Sequence, residues 1–188
     1  MRVHLVGVAG TGMGQLALLL RDAGHDVSGS DMAFDPPMGP ALEAAGIRCV
    51  EGYDAAHIDA SLELVVVGNA IRKENPEAMR AEELGLPRSS MSLALRECFL
   101  VGPPARRPLV VAGTHGKTTT SSMCAWILHE AGLEPGFFIG GLPKNFPSGA
   151  AAVRPGSARA RRGTCSCAGG RAPRRAWPPG SPCGWRCR

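Results

Sequence analysis

Short apolar runs alternate with segments of helical periodicity through the first hundred residues, and this alternation constrains the possible folds most strongly. Each apolar run has the length of a buried strand, and the segments between the runs repeat their apolar residues every three or four positions. Strands that alternate with helices pair in parallel, because each helix carries the chain back along the sheet before the next strand begins. The sequence therefore predicts an α/β fold built on a parallel sheet.

A proline-rich linker, residues 101–108, divides the predicted elements into two domains, residues 1–100 and 109–153. In the first domain we predict strands at 3–8, 26–30, 47–50, 62–68 and near Leu86. Four helices are expected there. The first contains Met13, Leu16, Leu20 and Ala23 and ends at Gly24, and the second lies at 40–45. The third runs from Pro76 to Leu84 with Asn75 as its cap, and the fourth lies at 93–99. In the second domain we predict a strand at 109–113, a helix at 119–131 with Met123, Trp126 or Ile127, and Ala131 on its inner face, and a strand at 136–141.

A glycine-rich turn, Gly7–Gly14, joins the first predicted strand to the first helix. Small residues there allow the backbone to approach a pyrophosphate, and the amides of the helix N-terminus carry a partial positive charge. The spacing departs from the strict Gly-x-Gly-x-x-Gly pattern because Ala9 replaces the middle glycine. Asp31 follows about 20 residues later at the end of the second strand, where an acid can bind a ribose hydroxyl. We predict a nucleotide-type ligand in a Rossmann-like domain, and a turn that only packs helix on strand is the alternative.

Three polar residues, Asn69, Arg72 and Lys73, follow the strand predicted at 62–68. This edge of a parallel sheet is where open α/β folds bind ligands, and the basic pair could neutralise phosphate groups. A solvated loop accounts for the same residues equally well. Both interpretations stay open, with Asn69 and Arg72 counted as candidate ligand contacts.

The stretch GTHGKTTT, residues 113–120, is a second glycine-rich turn between a predicted strand and a helix. The amides of such a turn surround phosphate oxygens, the lysine adds a positive charge, and the hydroxyl after it can bind Mg²⁺. Val111 stands where the usual spacing has a glycine, so the turn is a variant. We predict Lys117 as the catalytic residue, Thr118 as the Mg²⁺ ligand, and His115 as a positioning residue. The predicted ATP site comprises Gly113, Thr114, His115, Gly116, Lys117, Thr118 and Thr119.

Charge separates the last 35 residues from the rest of the chain. Residues 1–153 hold 12 Lys and Arg with all 16 Asp and Glu, a balance of −4, whereas residues 154–188 hold nine Arg and no acid. From Pro155 onward no Leu, Ile, Val, Met, Phe or Tyr occurs, so we predict a disordered tail that was translated out of frame from a GC-rich gene. Its cysteines match no usual zinc spacing, and the mildly acidic body indicates no specific nucleic-acid partner. The other two reading frames of the gene test this interpretation.

The amino terminus and the cysteines predict a cytoplasmic protein. Glycines interrupt the first apolar stretch, and no apolar run approaches the ~20 residues of a membrane span. Cys49, Cys98 and Cys124 are scattered through apolar segments, as buried thiols in a reducing compartment usually are. The oligomeric state is left open.

These motifs together resemble the Mur ligases of peptidoglycan synthesis. The resemblance covers roughly residues 1–152 and rests on HLVGVAGTGM, Gly29-Ser30-Asp31, VVVGNAI, Asn75-Pro76-Glu77 and AGTHGKTTT. It implies a UDP-sugar-binding Rossmann-like domain, followed by the opening strand, phosphate-binding loop, helix and strand of an incomplete ATP-binding domain. The UDP-sugar contacts carried over by position are Gly10, Thr11, Gly12, Met13, Asp31, Asn69 and Arg72.

The resemblance also implies the chemistry. It is strongest to the cell-wall-recycling branch, which uses ATP and Mg²⁺ to join UDP-N-acetylmuramate, through an acyl phosphate, to the murein peptide L-alanyl-γ-D-glutamyl-meso-diaminopimelate. The branch that adds L-alanine to the same sugar nucleotide is an alternative, as is a non-enzymatic UDP-sugar-binding module. An NAD-dependent oxidoreductase is the last alternative, because it leaves GTHGKTTT without a role.

The chain departs from the family after about residue 153. The family continues with a Mg²⁺-binding glutamate, a histidine, a carbamylated lysine and a domain for the amine substrate, whereas no Asp, Glu, His or Lys follows Lys144 here. We therefore expect these 188 residues to lack ligation activity, and apolar strands such as GFFIGG, residues 136–141, to be exposed and prone to aggregation.

Overall fold

The computed structural model describes residues 1–101 and 107–153. The strands are β1 Arg2–Val6, β2 Asp26–Asp31, β3 Arg48–Glu51, β4 Leu64–Val67, β5 Arg88–Ser90, β6 Phe137–Phe138 and β7 Ala150–Ala151. The helices are α1 Thr11–Asp22, α2 Met38–Ala44, α3 Pro76–Glu83, α4 Met91–Leu95 and α5 Lys117–Glu130. A 3₁₀ turn lies at Ala55–His57, and a π-helical turn, Arg96–Leu100, continues α4.

A five-stranded parallel sheet forms the centre of the fold, in the order β3-β2-β1-β4-β5. Val3 of β1 pairs with Val27 of β2 on one side and with Leu64 of β4 on the other. The chain order therefore reverses direction between β1 and β4, which opens a crevice at the carboxyl ends of these two strands. The parallel, Rossmann-like α/β fold predicted from the sequence is confirmed.

Apolar residues are buried on both faces of this sheet, as expected for a parallel sheet covered by helices. On one face α1 contributes Leu16 and Leu20 to a cluster with Val3 and Leu5. On the other face a smaller cluster contains Val6, Ile58, Leu62, Val65 and Ala81.

Local signals set most element boundaries. The Asn75 side chain accepts hydrogen bonds from the Glu77 and Ala78 amides at 2.9 and 3.2 Å, so the predicted cap of α3 is confirmed. Strand β5 lies slightly beyond the predicted position at Leu86, because its pairing starts where the Val65 amide donates to the Pro87 carbonyl.

The strand predicted at 109–113 is not formed. Leu109 and Val110 expose 74% and 81% of their surface. An apolar run becomes a strand only beside another strand, and neither described sheet offers one to this segment.

The inner face predicted for the helix at 119–131 is wrong except at Trp126, which is half-buried. Helix α5 starts at Lys117, and Ala125 is its buried residue, whereas Met123 and Ile127 are 59% and 63% exposed and Ala131 is exposed. Periodicity alone could not select this face, because apolar residues lie on several sides of the helix.

The strand predicted at 136–141 shortens to β6, which pairs antiparallel with β7. Ile139 is 3% exposed, and Phe138 packs on the main core, so GFFIGG is not the exposed segment that we expected.

The predicted tail 154–188 and linker residues 102–106 lie outside the described residues, so the tail, its cysteines and the reading-frame hypothesis stay predictions. No described helix combines the length and the hydropathy that a membrane span needs.

Candidate functional site

Hydrogen bonds to the end of β2 fix the first glycine-rich turn. Gly7 has a φ of +84°, a conformation that favours glycine, and it turns the chain out of β1. The Gly7 and Val8 amides donate to the Ser30 carbonyl at 2.8 and 3.0 Å, and the Ala9 amide donates to Asp31 Oδ2 at 2.8 Å. Three successive amides are therefore used to fix the turn.

The next amides belong to the N-terminus of α1. Its cap, Gly10, has extended backbone and no side-chain hydrogen bond to the helix. The first-turn amides of Thr11, Gly12 and Met13 have no acceptor within the helix, and they give this end a partial positive charge. The Met13 side chain is buried in the core, so Met13 offers its amide rather than its side chain. This end of α1 is suited to an anionic group.

Asp31 has structural partners on both carboxylate oxygens. Besides the Ala9 amide on Oδ2, Oδ1 accepts from the Met32 amide at 2.8 Å and from the Tyr53 hydroxyl at 3.2 Å. Burial, together with the negative charge of Asp31, raises the pKa of Tyr53 to about 12, so the phenol stays protonated and donates. Asp31 therefore stabilises the glycine-rich turn, and its contact with a ribose hydroxyl stays a prediction.

The loop after β4 closes the crevice from the other side. The Gly68 amide donates to the Val6 carbonyl at 3.0 Å, and the Ile71 side chain lies over Gly7, where a Cβ on that glycine would come within 3.1 Å of it. Asn69 and Arg72 are exposed in this loop. The predicted contacts Gly10 to Met13, Asp31, Asn69 and Arg72 thus all lie at the carboxyl edge of the sheet.

A fully buried carboxylate, Glu77 of α3, lies beneath this edge. It accepts from the Ser30 hydroxyl, from His57 Nδ1 at 2.6 Å and from the Asp54 amide at 3.4 Å. His4 Nε2 lies 3.6 Å from Glu77 Oε2, within ion-pair range but beyond a hydrogen bond. Burial opposes ionisation, yet the nearby His4 ring and the hydrogen bonds from Ser30 and His57 outweigh it and hold the pKa of Glu77 below its ordinary value.

The second glycine-rich turn opens α5. Gly116, the cap residue, is left-handed with a φ of +75°, and no side chain caps the helix. Lys117 folds back over the turn, and its Nζ donates to the Gly113 carbonyl at 2.6 Å and to the Thr114 carbonyl at 3.1 Å. A free helix N-terminus with one ammonium group bent across it is an anion-binding arrangement.

The remaining predicted ATP-site residues lie in this turn or in the first turn of α5, and all are exposed. His115 Nδ1 lies 3.2 Å from Thr114 Oγ1, and a Cβ at Gly141 would lie 3.2 Å from Thr118 Cγ2. Thr119 follows in the first turn of α5. The described residues contain no cluster of three His, Cys, Asp or Glu side chains for a metal. Phosphate, water and hydroxyl oxygens are usual ligands of Mg²⁺, so the Thr118 hydroxyl is of a suitable chemical type.

Residues 148–150, which follow the second turn along the chain, contact α1 and the main core. The Ser148 hydroxyl donates to the buried Gln15 side chain at 3.0 Å, and Ala150 joins the main core. The segment that follows the second turn is therefore packed on the helix that follows the first.

Sequence reasoning missed three residues that support the first turn: Ser30, Tyr53 and Glu77. Ser30 precedes the predicted Asp31, and this adjacency was the one signal that could have found it. Glu77 lies in the quoted Asn75-Pro76-Glu77 motif, but its burial could not be foreseen, because an acid in the first turn of a helix is usually at the surface. No local signal indicated Tyr53. His4 and His57 are both neighbours of Glu77.

Residues 2–100 match the family model described as "Mur ligase family, catalytic domain". A UDP-N-acetylmuramate–L-alanyl-γ-D-glutamyl-meso-2,6-diaminoheptandioate ligase from Escherichia coli is 46% identical over 146 residues, 78% of this chain and 31% of that protein. A UDP-N-acetylmuramate–L-alanine ligase from Paenarthrobacter aurescens is 45% identical over 139 residues, 74% of this chain and 29% of that protein.

A solved structure is similar over most of the chain. The crystal structure of UDP-N-acetylmuramate:L-alanyl-γ-D-glutamyl-meso-diaminopimelate ligase from Neisseria meningitides superposes with a TM-score of 0.73 and 45% identity, covering 79% of this chain and 45% of that one. The chain spans about a third of the length of the curated relatives it matches.

Proposed function

The chain belongs to the Mur ligase family, and from this premise we propose that it carries the nucleotide-binding part of an ATP-dependent murein peptide ligase. The proposed substrates are UDP-N-acetylmuramate and L-alanyl-γ-D-glutamyl-meso-diaminopimelate. One observation supports the proposal. Two glycine-rich turns each lead into a helix whose N-terminus has no side-chain cap, and at the second turn Lys117 Nζ is hydrogen-bonded to the Gly113 carbonyl. A cytoplasmic location, and the division into domains at residues 101–108, remain parts of the proposal.

The first turn is the proposed UDP site. The amides of Thr11, Gly12 and Met13 would receive the diphosphate, since the Gly7, Val8 and Ala9 amides already have acceptors. Asn69 and Arg72, exposed in the loop after β4, would contact the same ligand across the crevice. Asp31 would bind a ribose hydroxyl while keeping its hydrogen bond to the Ala9 amide of the turn.

The second turn is the proposed ATP site. The amides at the start of α5 and Lys117 Nζ would hold the terminal phosphates, with Gly113 and Gly116 keeping the backbone close to them. Lys117 Nζ donates to two carbonyls of the turn, which supports a role for its ammonium beside a phosphate bound there. Thr118 would contribute one oxygen to Mg²⁺, which supplies charge neutralisation when bound.

In the proposed reaction the muramoyl carboxylate takes the terminal phosphoryl group of ATP and becomes a mixed anhydride, with ADP as the leaving group. The amine of the peptide then attacks the carbonyl carbon and phosphate leaves. A carboxylate is a poor electrophile, so this activation is what makes amide formation possible. The residues of this chain would contribute positioning and charge neutralisation to the first step.

The L-alanine-adding ligases are the second candidate, because the Paenarthrobacter aurescens enzyme is 45% identical. Both candidates share the sugar nucleotide and ATP and differ in the amine. No described residue is assigned to the amine, so this choice rests on the slightly higher identity of the Escherichia coli relative.

Calorimetric titration tests the binding proposal. The 188-residue polypeptide is expected to bind UDP-N-acetylmuramate and, separately, ATP with Mg²⁺, without binding NADH and without releasing phosphate when the peptide is added. Binding of NADH in place of UDP-N-acetylmuramate would support an oxidoreductase and refute the proposal.

Activity is tested in a longer protein. A chimera of residues 1–153 with the remaining part of the Escherichia coli relative should release phosphate when the peptide is present. The matched chimera with Lys117→Ala should not. Equal phosphate release by the two chimeras would remove Lys117 from the proposed chemistry.

A further inference from the structure

Glu77 is a buried charge without a role in the function proposed above. Its side chain is fully buried, yet it lies in the first turn of α3, beneath the edge of the sheet that carries the first glycine-rich turn. A carboxylate is rarely buried unless its oxygens are paired, because removing it from water is costly. Its partners therefore indicate what it holds in place.

One set of partners leads to the glycine-rich turn. Glu77 Oε2 accepts the Ser30 hydroxyl proton, and the carbonyl of the same Ser30 accepts the Gly7 and Val8 amides at 2.8 and 3.0 Å. The Ser30 carbonyl that fixes the turn therefore belongs to a residue whose hydroxyl is hydrogen-bonded to Glu77. Only one residue separates the buried carboxylate from the backbone of the turn.

The other set leads to Asp31. Glu77 Oε1 accepts from His57 Nδ1 at 2.6 Å and from the Asp54 amide at 3.4 Å. These contacts fix the chain next to Tyr53, whose hydroxyl donates to Asp31 Oδ1 at 3.2 Å. Asp31 Oδ2 in turn accepts the Ala9 amide at 2.8 Å.

Both sets of contacts lead to the amides of Gly7, Val8 and Ala9, which precede the N-terminus of α1. We propose that Glu77 is a positioning residue of the UDP-sugar site, which acts through Ser30 and through the Tyr53–Asp31 pair to hold the glycine-rich turn open to its ligand. The inference rests on the proposed function only in the identity of that ligand.

The charged state of Glu77 agrees with this role. Burial opposes its ionisation, but the hydrogen bonds from its neighbours hold its pKa below the ordinary value, so it is an acceptor on both oxygens near neutral pH. Glu77→Gln keeps the shape of the side chain and converts one acceptor oxygen to a donor group. Either the Ser30 hydroxyl or the His57 Nδ1 then loses its acceptor.

The test measures the turn and the ligand separately. In the ligand-free chain, Glu77→Gln is expected to raise the hydrogen-exchange rates of the Gly7, Val8 and Ala9 amides more than those of the α1 interior. The dissociation constant for UDP-N-acetylmuramate should rise about tenfold, the equivalent of one hydrogen bond to a charged group. Glu83→Gln, on the exposed side of the same helix, is the control and should change neither quantity.

Each result decides the proposal. Unchanged amide exchange and unchanged affinity in a folded Glu77→Gln variant would overturn it. If that variant does not fold, Ser30→Ala replaces it, because this change removes the link to Glu77 and keeps the Ser30 carbonyl and the His57 contact. Wild-type exchange in folded Ser30→Ala would overturn the proposal equally. If the unmodified chain does not bind UDP-N-acetylmuramate, the proposed function fails, and the amide exchange of the ligand-free chain still tests the role of Glu77.

Discussion

At the scale of single residues, Lys117 depends on the backbone around it for its direction. Its ammonium donates to two carbonyls of its own turn, at 2.6 and 3.1 Å, and so remains over the N-terminus of α5. A lysine on an ordinary helix would extend into solvent. The turn therefore supplies the geometry, and the side chain supplies the charge.

Lys117→Ala should weaken ATP binding more than about tenfold, the affinity equivalent of about one charge-assisted hydrogen bond. Lys144→Ala removes the same charge from an exposed position in the same segment and is the matched control. Titration calorimetry with ATP and Mg²⁺ gives both dissociation constants. Equal losses in the two variants would mean that only net charge matters.

Gly7 illustrates a different residue-scale constraint, because it combines an unfavourable φ with crowding. Gly7→Ala should destabilise the fold by about 2–3 kcal/mol, from a left-handed backbone and from contact with Ile71. Gly24 has the same φ of +84° and nothing within 4 Å, so Gly24→Ala isolates the backbone contribution, about 1 kcal/mol. Urea unfolding measures both free energies. Equal destabilisation would show that Ile71 does not crowd the turn.

At the scale of elements, the buried cluster around Glu77 joins β1, β2, α3 and the 3₁₀ turn. The groups that face the carboxylate are His4 from β1, Ser30 from β2, His57 from the 3₁₀ turn and the amide of Asp54. No single element contains the cluster, so the buried Glu77 carboxylate is compensated only when these elements are packed together.

This cluster predicts a pH-dependent stability. The pKa of Glu77 is held below its ordinary 4.5, so its contribution is present above that value and is lost as the pH falls through the lower folded-state pKa. Near pH 6 the unmodified chain should exceed Glu77→Gln by about 2 kcal/mol, from hydrogen bonds to a charged group. This difference should shrink below about pH 4, measured as unfolding free energy at each pH. A constant difference would show that Glu77 is not charged in the folded state.

The same scale shows what local patterns could and could not predict. The helix α3 was predictable because Asn75 and Pro76 act on adjacent backbone. The strand expected at 109–113 was not, because apolar residues describe what a segment can pair with and not whether a partner lies beside it. For the same reason the buried face of α5 depends on contacts that its own sequence does not contain.

At the scale of the whole molecule, apolar surface is distributed unevenly over the described residues. The five-stranded sheet is covered on both faces, whereas four large apolar residues are exposed between residues 107 and 130: Leu109, Val110, Met123 and Ile127. Exposed apolar segments with unpaired backbone favour association between chains.

The chain should therefore associate as its concentration rises, under reducing conditions, and Val110→Lys should return it toward the monomer. Met79→Lys adds the same charge at a half-exposed methionine on α3 and should leave association unchanged. Light scattering over a concentration series measures both. A monomeric unmodified chain at all concentrations would contradict the prediction.

The sequence by itself determined the alternation of strands and helices, the two glycine-rich turns, and the chemical types of Lys117, Thr118 and Asp31. These features act over a few adjacent residues, so propensity and spacing suffice to identify them. Only the tertiary structure decided that Asp31 and Ser30 hold the first turn, that Glu77 lies beneath them, and that residues 109–113 remain unpaired. Those outcomes join residues more than 20 positions apart, and long-range burial and pairing, which a local pattern does not contain, select them.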